Sequence, residues 1–594
     1  EMLHRVASLV PINASRIPGG TFHSICNRLL RRHAREAGYQ PGFSIFDEED
    51  SKDVIAQSVA DEKIDTQKSR FPKPDVLSDI FSFAANTEQP AAQVIREQYE
   101  HFEELIGEIE RVQERYQIRK KEMNGMDYDD LLSVFLRLLK TNSEIRELYQ
   151  KIFQYVLVDE YQDTNKIQSD IVDLLVAGHK NVMVVGDDAQ SIYSWRGANF
   201  RNIMGFPKRY PGVKIIHIEQ NYRSTPQVLE LANASIARNT EQFKKNLQPV
   251  RARGPKPVIV PASNASQQAE FVATQVLELR DQGVDLNQVA VLYRSHYHSM
   301  ELQMELTRRN IPFHITSGIR FFEQAHVKDV AAHLKLTLNP SDELSFKRLL
   351  KLMPKVGAVT AAKIWRKVAT EPRNKELKDL AARMNQHAPW VPKAAQNEWK
   401  QFAAILKQLA SDEIRKHPSE MIHRVLESWY SGYLKVTYPN FKHRLEDLAQ
   451  FASFAAKFKD LEHFLAELTL MTNLEIEQEA REESLDPSEI LRLSTVHQAK
   501  GLEFQAVFVI WLADGMFPSS RSLQSKANEE EERRLFYVAV TRAKDHLFLI
   551  YPLIRYNAGY YGDALQKPSR FIKELPEHCA ERVELPEKTW AWDS

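Results

Sequence analysis

Cysteine is scarce in this chain, which contains only Cys26 and Cys579 among its 594 residues. Two cysteines cannot form a disulfide framework, and they cannot form a zinc site built from several cysteines. Such low usage is typical of proteins from a reducing cytosol, so the sequence predicts a cytoplasmic protein.

Long apolar runs and an excess of either charge are also missing. No stretch approaches the ~20 uncharged apolar residues that a membrane-spanning helix needs, so we expect no membrane partner. The 79 basic and 80 acidic residues leave a net charge of −1. Because the chain as a whole is nearly neutral, a surface that binds an acidic polymer must be a local patch of basic residues.

The residues that are present describe an ordinary globular protein, with 43% apolar and 27% charged residues. Because 594 residues exceed what a single core accommodates, we expect three or four domains.

Short apolar, β-branched runs alternate with helical patterns in two groups, as in βαβ units with a parallel sheet. The runs are Val156–Val158, Val182–Val185 and Ile215–Ile218, followed by Val258–Val260, Val289–Tyr293, Ala506–Ile510 and His546–Ile550. Two further stretches, 48–125 and 319–487, have mostly helical patterns and no strand pattern. The sequence predicts an α/β protein with two sheet domains, each carrying a mostly helical insertion.

Two acidic residues, Asp159 and Glu160, follow the first of these runs directly. Ligands of open α/β sheets bind at the carboxyl ends of strands. There the first acid can hold Mg²⁺ and the second can orient or deprotonate an attacking water. By itself the pair also fits a solvated acidic turn.

Five segments in one order resemble the motifs of superfamily 1 DNA helicases of the UvrD/Rep/PcrA group. They are Asp159–Thr164, Gly186–Ala198, Gln220–Thr225, Thr495–Phe504 and Tyr537–Ala543. The resemblance implies two RecA-like domains, formed by 1–47 with 126–220 and by 221–318 with 488–594. It also implies an ATP- and Mg²⁺-dependent motor acting 3′→5′ on single-stranded DNA and on junctions with duplex, alongside repair or replication proteins.

The resemblance assigns roles to individual residues. The expected catalytic residues are Asp159 as the metal ligand, Glu160, Gln190, Arg223 and Arg542. The expected nucleotide contacts are Tyr222, Glu503 and Arg196. The expected DNA contacts are Thr21, Phe22, His23, Tyr128, Tyr193, Trp195 and His497. Structural alternatives stay open for Tyr128, Trp195 and His497, since each also fits a packed core position.

The phosphate-binding Gly-x-x-x-x-Gly-Lys-Ser/Thr motif is absent from the sequence. In the family this motif lies upstream of the segment that Glu1–Val10 resembles, so we expect an N-terminally truncated chain and an incomplete first RecA-like domain. The alternative is a DNA-binding or regulatory protein that has lost hydrolysis. A nuclease-fused RecB-like enzyme is disfavoured, because little sequence follows Arg542.

Overall fold

The computed structural model describes residues 8, 17–64, 71–316, 321–369, 377–468, 486–555 and 564–586. The chain divides into two compact units, the first formed by Glu1–Ile215 with Lys435–Pro439 and the second by Ile216–Leu434 with Asn440–Ser594. The expected helix end at Glu1–Val10 lies, apart from Ser8, outside the described residues.

The strands are β1 Ser44–Ile45, β2 Gly125–Met126, β3 Val156–Val158, β4 Val182–Val184, β5 Gln220–Asn221, β6 Gln248–Pro249, β7 Val258–Ala262, β8 Val289–Tyr293, β9 Phe313–Ile315, β10 Leu491–Thr495, β11 Phe504–Val509, β12 Ala543–Pro552, β13 Ile554–Arg555, β14 Ala564–Leu565 and β15 Glu581–Arg582.

The helices are α1 Phe22–Arg32, α2 Glu48–Asp61, α3 Pro74–Thr87, α4 Ala91–Gln98, α5 Ile106–Glu122, α6 Tyr128–Thr141, α7 Ser143–Ile152, α8 Lys166–Val176, α9 Arg201–Met204, α10 Phe206–Arg209, α11 Pro226–Ile236, α12 Ala265–Asp281, α13 Met300–Arg308, α14 Ala325–Leu338, α15 Glu343–Leu350, α16 Ala358–Ala369, α17 Leu377–Gln386, α18 Gln396–Leu409, α19 Asp412–Arg415, α20 Pro418–Val425, α21 Ser431–Thr437, α22 Phe441–Ala455, α23 Lys526–Val540 and α24 Arg570–Lys573.

The first unit contains a parallel pair of strands, β3 and β4, in which Leu157 lies opposite Met183. One face is packed, since Val158 is buried, whereas Leu157 and Met183 on the other face are 71% and 57% exposed. Parallel sheets are normally covered on both faces, so this pair has one open face within the described part of the chain.

Two hydrophobic clusters hold the helices of the first unit. One joins α1, α6, α7 and α8 through side chains such as Leu29, Phe135 and Ile171. The other gathers side chains between Phe46 and Tyr116, from helices α2 to α5. The helical stretch that follows β1 therefore has an apolar core of its own.

The expected strand at Ile215–Ile218 is wrong. These residues form no strand, and Ile215, Ile216 and Ile218 are all exposed. A β-branched run predicts an extended backbone, but a strand also needs a hydrogen-bonded neighbour. After this run, the next paired strand is β5, which lies parallel to β6.

The second unit is built on a seven-stranded sheet with the order β15-β7-β12-β11-β8-β10-β9. Its strand pairs are parallel, and every residue of the interior strand β8 is buried. This explains the unbroken apolar runs of the sequence, because helices cover both faces of such a sheet. Helices α14 to α22 lie between β9 and β10 in the chain.

Candidate functional site

In the first unit the acid pair lies where β3 ends, and both carboxylates are exposed. Oδ1 of Asp159 accepts a hydrogen bond of 2.9 Å from the Glu160 amide. Glu160 has a φ of +50°, in the left-handed region that non-glycine residues rarely adopt. Such conformations persist where the surrounding structure holds them, and they cluster at functional sites.

A chain of hydrogen bonds connects Glu160 with Gln190. The buried amide of Gln162 donates through Nε2 to Oε2 of Glu160 at 2.6 Å and accepts the Asp187 amide through Oε1 at 3.0 Å. The Asp187 carboxylate then accepts from Nε2 of Gln190 at 2.9 Å through Oδ2. The two predicted catalytic side chains are thus linked through two residues that sequence analysis did not single out.

Gly186 makes this arrangement possible. A Cβ atom at this position would lie 2.3 Å from Oε1 of Gln162 and 2.9 Å from the Ile203 side chain. Neither distance is tolerated, so any larger residue would displace Gln162 from the chain of hydrogen bonds.

The chemistry of Asp159 fits a hydrated Mg²⁺. Its Oδ2 makes no hydrogen bond to another described residue, and the carboxylate faces solvent. Mg²⁺ prefers carboxylate oxygen and keeps several waters, so an exposed single carboxylate is a suitable protein ligand.

The loop after Gln190 presents its aromatic residues differently. Trp195 is 55% exposed, which removes the core alternative for this residue, whereas Tyr193 is half-buried. Both lie around a short turn, Ser194–Arg196, that ends at Gly197 with a φ of +84°. The predicted nucleotide contact Arg196 has a side chain outside the described residues.

Two predicted DNA contacts far apart in sequence meet in space. The rings of His23 and Tyr128 have centroids 5.1 Å apart, and Tyr128 is exposed. Burial lowers the pKa of His23, which favours the neutral form of the ring. Thr21 caps helix α1 by accepting the Ser24 amide, and Phe22 packs against the core.

Buried charged residues lie next to Tyr128 in the chain. Lys120 is almost fully buried and pairs with Asp127 and with Oδ2 of Asp130. Next to this group, burial and the Asp127 charge raise the pKa of Asp129 to about 6. The Asp129 carboxylate accepts a 2.8 Å hydrogen bond from Asn86.

In the second unit, Arg223 is held by Glu503. Its Nε donates to Oε2 of Glu503 at 2.7 Å, while Nζ of Lys544 lies 2.9 Å from Oε1. Hydrogen bonds from Lys544 and then Arg223 lower the pKa of Glu503. Tyr222 beside this cluster is exposed.

Arg542 is placed differently from Arg223. It is only 1% exposed, and its guanidinium donates to the carbonyls of Val538 and Leu502, each at 3.1 Å. In this structure Arg542 therefore supports the backbone immediately before Glu503.

The predicted site residues of the second unit lie at opposite ends of the strands in the seven-stranded sheet. Glu503 and Arg542 come directly before β11 and β12, whereas His497 follows the carboxyl end of β10 and is half-buried. The rule that ligands bind at carboxyl ends predicts the location of His497 but not that of Glu503.

Three residues of these hydrogen-bonded groups were not predicted from the sequence: Gln162, Asp187 and Lys544. All three lie inside or directly beside the motifs that carried the resemblance, and this position was the available signal. Their partners, however, follow only from the fold.

None of the helices in the described part of the chain has the length and apolar character needed to span a membrane.

Comparison with known proteins gives the following similarities. Residues 1–211 match the family described as UvrD/REP helicase N-terminal domain, and residues 216–553 match the family described as UvrD-like helicase C-terminal domain. The "ATP-dependent DNA helicase PcrA" of Bacillus subtilis (strain 168) is 33% identical, over 100% of this chain and 80% of the relative. The protein of the same name from Staphylococcus aureus (strain MRSA252) is 32% identical, over 98% and 79%.

Proposed function

The chain belongs to the UvrD/REP helicase family, and we propose that it is an ATP-dependent DNA helicase that moves 3′→5′ on single-stranded DNA. The direction is the one that the family resemblance implies. Its proposed partners are single-stranded DNA, junctions of single and double strands, and proteins of DNA repair or replication.

The observation that carries this proposal is the hydrogen-bonded connection from Glu160 to Gln190. Gln190 lies shortly before the exposed Trp195 on the same loop. A water-activating carboxylate is thus linked by hydrogen bonds to a phosphate-sensing amide, and that amide lies five residues before a base-stacking ring. A change at the γ-phosphate that moves Gln190 would therefore also move Trp195, on which DNA bases stack.

For the nucleotide, Asp159 would hold Mg²⁺, which neutralises charge on the phosphates during transfer. Glu160 orients the attacking water, and Gln190 contacts the γ-phosphate. In the second unit, Tyr222 and Glu503 contact the nucleoside, and the partly exposed side chain of Arg223 offers charge to the phosphates. The catalytic role predicted for Arg542 stays a prediction, and it requires the guanidinium to leave the carbonyls it now binds.

For DNA, we assign stacking to Trp195 and Tyr193 and to the pair formed by His23 and Tyr128. Exposed aromatic rings bind bases without sequence preference. The contact of His23 with Tyr128 supports this assignment, because it makes one aromatic surface from two distant segments. The role proposed for Thr21 is to cap the helix that carries His23.

The stretches 48–125 and 319–487 are proposed as inserted helical subdomains of the two RecA-like domains. For the first, support comes from the separate apolar cluster between Phe46 and Tyr116. For the second, support comes from the position of α14 to α22 between two strands of one sheet.

Because the sequence holds no phosphate-binding glycine loop, the 594-residue chain by itself should hydrolyse ATP negligibly. Its remaining residues can polarise a γ-phosphate, but nothing in the sequence supplies the loop that cradles the β-phosphate. Phosphate release should be measured with saturating single-stranded DNA, first on this chain and then on a version extended upstream with such a segment from a relative.

The expected result is DNA-stimulated turnover that appears only on extension and disappears again with Glu160→Gln. Substantial turnover by the unextended chain would refute the dependence on the missing loop. A folded, extended chain that binds DNA but stays inactive would instead favour a DNA-binding or regulatory protein.

A further inference from the structure

We propose that Glu230, His578 and Cys579 form a binding site for a divalent transition metal, with Zn²⁺ as the best-suited ion. Glu230 lies on helix α11, and His578 and Cys579 lie on the turn Glu577–Cys579 near the end of the described chain. The ligand atoms of all three side chains lie within 4.8 Å of one another.

The spacing of these atoms suits a tetrahedral ion. Nε2 of His578 is 3.2 Å from Oε1 of Glu230. Bonds of 2.0–2.1 Å from zinc to nitrogen and oxygen place neighbouring tetrahedral ligands about 3.3 Å apart. The nitrogen and oxygen ligands therefore already have the spacing of a tetrahedral site. The Cys579 sulfur lies within 4.8 Å of a ligand atom of each of the other two side chains, so it needs only a small approach.

The chemical nature of the ligands selects the ion. A thiolate with an imidazole favours zinc-like metals, whereas Mg²⁺ and Ca²⁺ prefer sites composed of oxygen. Three protein ligands leave one tetrahedral position for water. The cysteine is 2% exposed, whereas the His578 and Glu230 side chains are 66% and 47% exposed, so an ion can enter from solvent and bind a sulfur fixed below the surface.

The site would connect two parts of the second unit. Helix α11 begins directly after the loop that carries Arg223, and the turn with Cys579 precedes the edge strand β15 of the seven-stranded sheet. A metal held from both sides would fasten the last described segment to α11. Binding only to the folded chain, it would raise the melting temperature as its concentration rises.

The test is a titration of the tag-free 594-residue chain with Co²⁺, a coloured substitute for Zn²⁺. The expected result is a thiolate-to-cobalt charge-transfer band that saturates at one equivalent and that Zn²⁺ abolishes by competition. Surface histidines can also bind cobalt, but they give no thiolate band. Absence of the band at saturating cobalt would overturn the proposal.

Variants locate the site. Cys579→Ser should abolish the band, and Cys26→Ser, which removes the other buried thiol, should leave it intact. His578→Gln and Glu230→Gln change exposed ligands, so folding should be preserved. Each should weaken binding by at least about 100-fold, because even the loss of an outer-shell partner costs 10–100-fold. Unchanged affinity in either variant, or loss of the band in Cys26→Ser, would overturn the proposal even if Cys579→Ser failed to fold.

Discussion

Arg223 and Glu503 are 280 positions apart in the sequence, yet Nε of the arginine lies 2.7 Å from Oε2 of the glutamate. The other carboxylate oxygen pairs with Lys544, so one carboxylate holds two cations. If Glu503 also contacts the nucleotide, as the resemblance implies, nucleotide binding and the position of Arg223 compete for the same side chain.

This cluster gives a prediction about pH. Since the pKa of Glu503 is lowered, its contribution to stability is present above the unfolded pKa and disappears as pH falls through the folded pKa. Glu503→Gln should therefore lower the free energy of unfolding at pH 7 by up to about 1 kcal/mol, because the pair is partly exposed. The difference from the parent chain should shrink in acid.

Urea unfolding at a series of pH values checks this prediction. The matched control is Glu420→Gln, which breaks the exposed pair with Arg424 on one helix. This control should lower the free energy of unfolding by only about 0.2–0.5 kcal/mol. If Glu503→Gln lowered the free energy of unfolding by the same amount at every pH, the charge of Glu503 would have no part in the effect.

The position of Gln162 gives a second prediction. Gln162→Leu leaves the partly buried Asp187 amide without its acceptor, so it should lower the free energy of unfolding by about 1–3 kcal/mol. In the upstream-extended chain it should also lower turnover without abolishing nucleotide binding, because Gln162 positions Glu160. The exposed control Gln154→Leu should change stability by less than about 0.5 kcal/mol. Normal stability and turnover in Gln162→Leu would contradict a positioning role.

The third prediction concerns Trp195. Trp195→Ala should weaken binding of a single-stranded oligonucleotide by about 1–3 kcal/mol through lost stacking. The salt dependence should hardly change, because no phosphate contact is removed. Fluorescence titrations at several salt concentrations measure both quantities. Trp390→Ala, at another exposed tryptophan, should leave affinity unchanged, and equal effects of the two substitutions would argue against a specific stacking site.

The fourth prediction follows from the pKa of Asp129, which is raised to about 6. A raised carboxyl pKa favours the folded state below the unfolded pKa, and this stabilisation is lost as pH rises through the folded pKa. Asp129→Asn should therefore be more stable than the parent chain at pH 7 by about 1–3 kcal/mol. Near pH 4 the two proteins should be similar.

Unfolding measured between pH 4 and pH 8 tests the Asp129 prediction. The exposed acid Asp53 on α2 provides the control, and Asp53→Asn should differ from the parent chain by a small amount that varies little with pH. A destabilised Asp129→Asn at pH 7 would mean that the carboxylate is needed in its charged form.

Much of the chemistry could be predicted from the sequence. The order of the motifs identified the family, because each motif combines several residue types at fixed spacing. The apolar runs predicted β3, β4 and four strands of the larger sheet, β7, β8, β11 and β12. In the larger sheet the reason is that strands covered on both faces need an unbroken run of apolar residues. The strands β9, β10 and β15 of that sheet were not predicted. The run at Ile215–Ile218 has the same composition and forms no strand, because composition cannot specify a hydrogen-bonded neighbour.

What the tertiary structure alone decided is which side chains meet and which remain exposed. Trp195 is exposed and Arg542 is buried, although both lie in equally recognisable motifs. The fold also joined His23 to Tyr128 and Arg223 to Glu503. Sequence fixes the character of each side chain, but burial and partners depend on long-range packing, which brings together segments whose separation along the chain carries no signal of their contact.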